Sequence, residues 1–182
     1  MNKVSSMQKI AKEIENCEIC KTGKNGKAVV GEGSANAEYI FVGEAPGKNE
    51  AIVGRPFIGR SGKLLRSMIV SIGLKEEDVY ITSPVKYLPD AGTPSPSDIA
   101  HGRTHLMKQF EIIQPKLVVL LGRVAAEGVL EKKVQVMKEH GEIIDTRGGV
   151  KYFLALHPAA AIRFAKNMPL FKGDFQKLKT LL

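Results

Sequence analysis

Four short segments of the chain carry residues that can do chemistry, and each directly follows an apolar run. They are Gly43-Glu44-Ala45-Pro46-Gly47, Ser83-Pro84-Val85-Lys86, Gly122-Arg123 and His157-Pro158. A carboxylate, a hydroxyl, a guanidinium and an imidazole suffice for acid–base chemistry and for stabilising an anion. A histidine at a strand end is more often an ordinary hydrogen-bonded residue, so the residue types alone do not establish catalysis.

A second set of reactive side chains begins with Cys17 and Cys20, the only cysteines of the sequence. Their C-x-x-C spacing is compatible with metal binding, with redox chemistry or with neither. His101 and His105 lie four residues apart on a predicted helix and therefore on one face of it. The four together would form a Cys₂His₂ set suited to tetrahedral zinc. Because the spacing is unlike that of a zinc finger, we favour two reduced thiols and two surface histidines.

The segment Gly59-Arg60-Ser61-Gly62-Lys63 superficially resembles a nucleotide-binding loop. A Walker loop would require glycine at position 57 and a hydroxyl residue at position 64, where this chain has Phe57 and Leu64. The phosphate cradle and the magnesium-ligating hydroxyl are both missing, which argues against a nucleotide-binding protein. The basic and hydroxyl side chains of the segment still suit a nucleic-acid phosphate.

Alternating strands and helices must position these residues. Apolar runs at 39–42, 79–82, 116–121 and 152–156 predict four buried strands, each ending at one of the chemical segments. Helices are predicted at 7–15, 64–72, from Ser97 or Asp98 to Ile113, from about Arg123, and from Gly173 to the end. This order predicts one domain over 1–182, a three-layer α/β/α fold with a mostly parallel four-stranded sheet. We expect the four segments to converge, because sites in such sheets lie beyond the carboxyl ends of the strands.

The amino-acid composition indicates which kinds of molecule the protein can bind. With 43% hydrophobic and 25% charged residues the chain is an ordinary globular protein. An excess of 27 Lys+Arg over 19 Asp+Glu gives a net charge of +8, which favours a polyanionic partner. No apolar run approaches the ~20 residues of a membrane span, and the N-terminus lacks the apolar core of a secretory signal. We therefore expect a cytoplasmic monomer without membrane contacts.

Five stretches of the sequence, at 43–47, 54–65, 80–86, 115–126 and 157–163, resemble in order the motifs of one enzyme family. The chain is similar to uracil-DNA glycosylases, and specifically to the thermostable bacterial and archaeal type (family four). Members of that type commonly carry an iron–sulfur cluster. One such motif would be weak evidence, but five in order cover most of the chain.

The resemblance implies an enzyme that flips uracil out of DNA and hydrolyses its N-glycosidic bond, leaving an abasic site. The reaction passes through an oxocarbenium-like sugar and an anionic base. By the resemblance, His157 donates to uracil O2 as the anion develops, and Glu44 with its loop holds water on the sugar side. Phe57 would stack on uracil, and Glu50 would crowd C5 of the base and reject thymine.

The remaining candidate contacts fall into two groups. Further base contacts would come from Gly43, Ala45, Pro46, Gly47 and Ser83. DNA contacts would come from Arg60, Ser61, Lys63, Ile162 and Arg163, the last two in a loop that probes the helix. Each has a simpler alternative, since a phenylalanine such as Phe57 often belongs to the core and basic residues often form a solvated face.

Three departures from the family pattern stand out. Ser83 replaces an asparagine whose amide reads the uracil edge, and a hydroxyl can donate or accept where an amide is fixed. Ala51 replaces an aspartate. Tyr87 and Gly102 stand where two of the four cluster cysteines belong, so we expect no four-iron cluster. We also expect catalysis to require no cofactor, with zinc at Cys17, Cys20, His101 and His105 as the lesser alternative.

The sequence leaves two other functions open. The same fold could act on further deaminated bases such as hypoxanthine or xanthine, or the chain could be a DNA damage-binding module without turnover. The presence of both Glu44 and His157 argues against the second. Relatives that trap the abasic site covalently carry an inserted histidine loop near the first motif, and 54–62 has neither insertion nor histidine.

Overall fold

In a computed structural model of the protein, the structure describes residues 2–182. The strands in chain order are β1 (Lys24–Asn25), β2 (Glu32–Gly33), β3 (Tyr39–Val42), β4 (Tyr80–Thr82), β5 (Leu88–Pro89), β6 (Leu117–Leu121), β7 (Glu142–Arg147) and β8 (Val150–Ala155). The α-helices are α1 (Lys3–Glu15), α2 (Glu18–Lys21), α3 (Lys48–Val53), α4 (Arg60–Ser71), α5 (Pro96–Ile113), α6 (Arg123–Leu130), α7 (Val136–Glu139), α8 (Pro158–Arg163) and α9 (Met168–Lys179). Two 3₁₀ turns cover Glu76–Asp78 and Ala165–Asn167.

The main sheet has the order β2-β4-β3-β6-β8-β7. Its four inner strands are parallel and are the four that the sequence predicts, with Phe41 of β3 level with Ile81 of β4 and Val119 of β6. The short β2 and the longer β7 add an antiparallel strand at each edge, extending the predicted four strands to six. A separate two-stranded ribbon joins β1 to β5.

Helices cover both faces of the sheet, as a three-layer fold requires. Every residue of β6 is buried, because a central parallel strand is covered on both sides. One face packs on α4 and α9 through residues such as Leu65, Ile69 and Phe175. The other packs on α5 and α6 through residues such as Leu106 and Val129. Among residues 2–182, no helix combines the length and apolarity needed to cross a membrane.

Several predicted helix boundaries were wrong, for local reasons. Helix α5 is capped by Ser95, whose side chain accepts from Asp98 N–H in a capping box, rather than by Ser97 or Asp98 as predicted. Helix α9 begins at Met168, so Gly173 lies inside it. Helix α4 begins at Arg60, which places the supposed glycine-rich turn in the first turn of a helix.

Candidate active site

Three of the four predicted segments meet in a cleft of about 430 Å³ at the carboxyl edge of the sheet, and the segment Gly122-Arg123 does not line it. Its lining residues are Val29, Glu44, Ala45, Pro46, Gly47, Lys48, Glu50, Pro56, Phe57, Ser61, Ser83, Leu88, Gly92, His157 and Ala159. The structure therefore brings together the carboxylate, hydroxyl and imidazole from the ends of β3, β4 and β8. Gly122 lies behind this group, where a Cβ would come within 3.1 Å of His157 Cβ. Arg123 does not line the cleft and instead donates to Glu127 at 2.8 Å.

His157 is held by the start of α8. It is the N-cap of that helix, and its Nδ1 accepts a hydrogen bond from Ala159 N–H at 3.1 Å. Because Nδ1 is an acceptor, the ring proton of the neutral imidazole resides on Nε2. Burial lowers the pKa of His157 to about 4, so the ring is neutral at neutral pH. The cleft thus contains a neutral imidazole with an N–H to donate.

The position of His157 depends on Asp174, which the sequence analysis missed. The Asp174 carboxylate is 2% exposed, accepts from Leu156 N–H at 2.8 Å, and lies 2.6 Å from Nδ1 of His140. It therefore anchors the backbone one residue before His157. The available signal was a lone acid in the helix predicted from Gly173 to the end, directly before Phe175.

Phe57 forms the wall beside His157, with ring centroids 5.9 Å apart and planes inclined by 36°. It packs so closely on Gly43 that a Cβ there would lie 2.5 Å from Phe57 Cζ. Its φ of 52° is unusual for a bulky residue and signals backbone strain. Arg66 supports this conformation, since Nε donates to Phe57 O at 3.0 Å and Nη2 to Pro56 O at 2.9 Å.

Glu50 is buried at the cleft and has a second role that the sequence did not reveal. Its Oε1 accepts from Ile58 N–H and Gly59 N–H, both at 2.9 Å. The carboxylate therefore ties α3 to the segment that carries Phe57. Charge-assisted bonds of this kind are among the stronger ones in proteins.

Glu44 is partly buried and lines the same cleft. Burial raises the pKa of Glu44, while the positive charge of Arg123 opposes the rise. A carboxylate with a raised pKa retains basicity toward a water or a cationic centre.

Ser83 is buried, and its hydroxyl donates to Val85 O at 2.8 Å. Because the hydroxyl proton is donated to Val85 O, the Ser83 oxygen can act toward other groups only as a hydrogen-bond acceptor. Beneath it, the fully buried Lys86 ammonium donates to Thr82 Oγ1 at 2.8 Å and to Gln109 Oε1 at 2.9 Å. Burial lowers the pKa of Lys86 to about 7. Lys86 belongs to the segment 83–86 that the sequence singled out, and Gln109 is a further support that the sequence analysis did not identify.

The residues assigned to DNA lie on two helix ends. Arg60 and Lys63 are exposed on the first turn of α4, and Ser61 from the same turn lines the cleft. Ile162 and Arg163 end α8, where the Arg163 guanidinium lies 5.5 Å from the ring centroid of Phe164. Phe164 is 48% exposed, a surface aromatic that the sequence analysis passed over.

The cysteine and histidine pairs meet away from this cleft. The potential ligand atoms of Cys17, Cys20, His101 and His105 all lie within 4.8 Å of one another, close enough for a shared metal ion. The expectation that both histidines are surface residues was wrong, because His105 is 4% exposed. Packing of α5 against α1 and α2 buries that side chain.

Comparison with known proteins identifies the family that the chain resembles. A family model described as the uracil DNA glycosylase superfamily matches residues 30–179. A Type-4 uracil-DNA glycosylase of Archaeoglobus fulgidus is 36% identical over 98% of this chain and 94% of its own length. Proteins of the same description from Thermotoga maritima and Saccharolobus solfataricus are 36% and 38% identical, covering 97% and 98% of this chain and 94% and 88% of their own.

Proposed function

The chain belongs to the uracil-DNA glycosylase superfamily, and from that premise we infer that it removes uracil from DNA by hydrolysing the N-glycosidic bond. The likeness to Type-4 enzymes over nearly the whole chain supports this activity. The observation that carries the mechanism is the meeting of Glu44, Ser83 and His157 in one cleft. Each comes from the end of a different strand, and because all three line one cleft they can act on the same bound nucleotide.

The base enters the cleft only after it leaves the DNA stack. Extrusion exposes both faces of uracil, and an aromatic wall recovers part of the lost stacking energy. Phe57 supplies that wall, because its ring lies against the cleft beside His157. A residue that belonged only to the core would not line the cleft.

His157 stabilises the departing base. As the glycosidic bond breaks, negative charge collects on uracil, and a fixed donor at O2 is worth more in the transition state than before it. The neutral ring donates through Nε2, since Ala159 N–H occupies Nδ1. Proton transfer is not required, because a neutral imidazole stabilises the anion by hydrogen bonding.

Glu44 acts on the sugar side. Its carboxylate stabilises the cationic sugar and orients the water that attacks C1′, with the loop backbone as support. The products are free uracil and an abasic site, so the enzyme is monofunctional. The chemistry uses only side chains and water, and we propose that no cofactor takes part in it.

Base choice depends on Glu50 and Ser83. Glu50 limits the space at C5, where thymine carries a methyl group. The Ser83 oxygen accepts from uracil N3–H, because its own proton is directed to Val85 O. Backbone N–H groups of the loops serve as donors to O4.

DNA binds across the ends of α4 and α8. Arg60, Ser61 and Lys63 offer phosphate ligands at the N-terminus of the 12-residue α4, where the helix dipole favours an anion. Ile162 and Arg163 enter the space that the extruded base leaves. The net charge of +8 adds sequence-independent attraction.

Oligonucleotides that each carry one uracil, hypoxanthine, xanthine or thymine test this function. Incubation followed by alkaline cleavage should cut the uracil strand at the modified position and leave the thymine strand intact. Free uracil should be recovered, and borohydride should trap no covalent complex. DNA binding without release of any base would instead indicate a damage-binding module.

A further inference from the structure

Cys17, Cys20, His101 and His105 form a compact group that the glycosylase reaction does not use. Cys17 caps α2, Cys20 lies within α2, and both histidines lie on one face of α5. The Cys17 Sγ and His101 Nε2 atoms are 3.1 Å apart. The four potential ligand atoms lie within 4.8 Å of one another.

The His105 side chain indicates that this group binds something. It is 4% exposed, and within residues 2–182 its Nε2 makes no hydrogen bond. Leaving a buried polar group unpaired is energetically costly, so native structures seldom do it. A ligand between His105 and the other three side chains would satisfy the ring.

Glu13 orients His105 for that task. A Glu13 carboxylate oxygen lies 3.1 Å from His105 Nδ1, close enough to favour the proton on that nitrogen. The unprotonated Nε2 is then the metal-binding atom. Carboxylate–histidine–metal arrangements of this type fix the tautomer and raise the basicity of the ligand.

The residues present do not fit a four-iron cluster. Such a cluster takes four thiolates, and the sequence has two cysteines. At Gly102, one of the two remaining cluster positions, a Cβ would lie 2.0 Å from Pro84 O, so the fold leaves no room for a side chain. At the other position, the Tyr87 hydroxyl donates to Glu15 O at 3.4 Å.

We infer that Cys17, Cys20, His101 and His105 bind one zinc ion. Tetrahedral zinc, with Zn–S bonds of about 2.3 Å, places its ligand atoms roughly 3.3–3.8 Å apart. The observed limit of 4.8 Å requires only small rotations to reach that geometry. An S₂N₂ donor set in this arrangement selects zinc among common mononuclear ions.

The ion has a structural role, because four protein ligands leave no position for water or substrate. It joins the N-terminal segment that carries α1 and α2 to α5. Helix α5 in turn packs through Gly102 against Pro84, the neighbour of Ser83. The inference does not rest on the proposed function, since metal content and excision are measured separately.

Elemental analysis of the full chain, purified without air or added metal, is the first test. We expect one zinc per chain and no acid-labile sulfide. Metal-free protein should take up one equivalent of Co²⁺ and gain the visible absorption of tetrahedral thiolate coordination. Iron with stoichiometric sulfide, or no uptake of either ion, would overturn the inference.

Variants distinguish ligands from neighbours. Cys17→Ser and His105→Ala should each lose stoichiometric zinc, and Glu13→Ala should weaken zinc binding by about 10- to 100-fold in competition with a chelator. Lys108→Gln is the matched control, because Lys108 pairs with the same Glu13 carboxylate but is not a ligand. Loss of zinc from Lys108→Gln equal to that from His105→Ala would contradict the assignment. The Co²⁺ titration of the unaltered chain decides the question if a ligand variant fails to fold.

Discussion

His157 and His105 lie in contrasting environments, one in an open cleft and the other buried between helices. His157 follows a strand, its Nδ1 accepts from Ala159 N–H, and the rest of the ring faces a cleft. His105 lies in the middle of an 18-residue helix, and in the described part of the chain its Nε2 has no hydrogen-bond partner. The ring of His157 has a free N–H directed at the cleft, whereas the ring of His105 is enclosed among potential metal ligands.

The difference shows how the surrounding elements select the use of one side chain. Loops at the carboxyl edge of a sheet leave space for a ligand to enter and depart. Helix α5 is packed against α1 and α2 and leaves no such opening. An ion bound to His105 would therefore stay in place as part of the folded structure. We therefore propose that the imidazole of residue 157 serves the reaction and that of residue 105 serves stability.

The largest expected effect is on the excision rate, which should depend on the cleft and not on the cysteine–histidine group. His157→Ala and Glu44→Ala should each lower the single-turnover rate of uracil excision by about 10²-fold or more, because each removes an electrostatic contact made in the transition state. DNA affinity and zinc content should stay near those of the unaltered protein. A rate near wild type for either variant would remove that residue from the reaction.

The pH dependence of the excision rate should distinguish the roles of Glu44 and His157. Burial raises the pKa of Glu44, so the active carboxylate is lost as pH falls through a value above that of an ordinary glutamate. His157 becomes charged only near pH 4 and stays neutral across that range. The excision rate should therefore fall about tenfold per pH unit below the Glu44 pKa. In Glu44→Gln the excision rate should no longer fall at acid pH. In His157→Gln the rate should be lower at every pH but should still show that fall. The reverse pattern would exchange the roles of the two residues.

A smaller effect should come from the anchor behind His157. Asp174→Ala leaves the buried Leu156 N–H without its acceptor, which should lower the free energy of unfolding by about 1–3 kcal/mol. Excision should fall less than in His157→Ala, and zinc content should not change. Asp174→Asn keeps an acceptor for Leu156 and should recover part of both losses in denaturant unfolding and single-turnover assays. Equal behaviour of the two variants would mean that the Leu156 contact is unimportant.

The smallest effect concerns base choice. Ser83→Asn should retain uracil excision and increase the preference for uracil over hypoxanthine by about tenfold. The Ser83 hydroxyl can rotate away from Val85 O to donate to an altered base edge, whereas an amide offers a fixed donor beside a fixed acceptor. Rates on matched uracil and hypoxanthine oligonucleotides measure the ratio. A wild-type protein already as selective as the variant would show that position 83 does not set specificity.

Much of the fold could be predicted because its signals are local. The apolar runs of β3 and β6 and the chemical residues that follow them are visible in the sequence, and parallel strands must bring those ends to one edge. Helix starts were less predictable. Ser95, Ser97 and Asp98 are all acceptable caps by type, and only the hydrogen bond from Asp98 N–H to Ser95 identifies the one used.

The sequence alone determined which residue types stand at the strand ends, and with them the family and its chemistry. Tertiary structure decided the state in which those residues work. The neutral ring of His157 follows from burial and from Ala159 N–H, and its support comes from Asp174 on another helix. The approach of Cys17 to His101 spans 84 residues and depends on how α5 packs against the N-terminal helices. Strand and helix patterns reflect neighbours along the chain, whereas burial and donor geometry are properties of distant segments in contact.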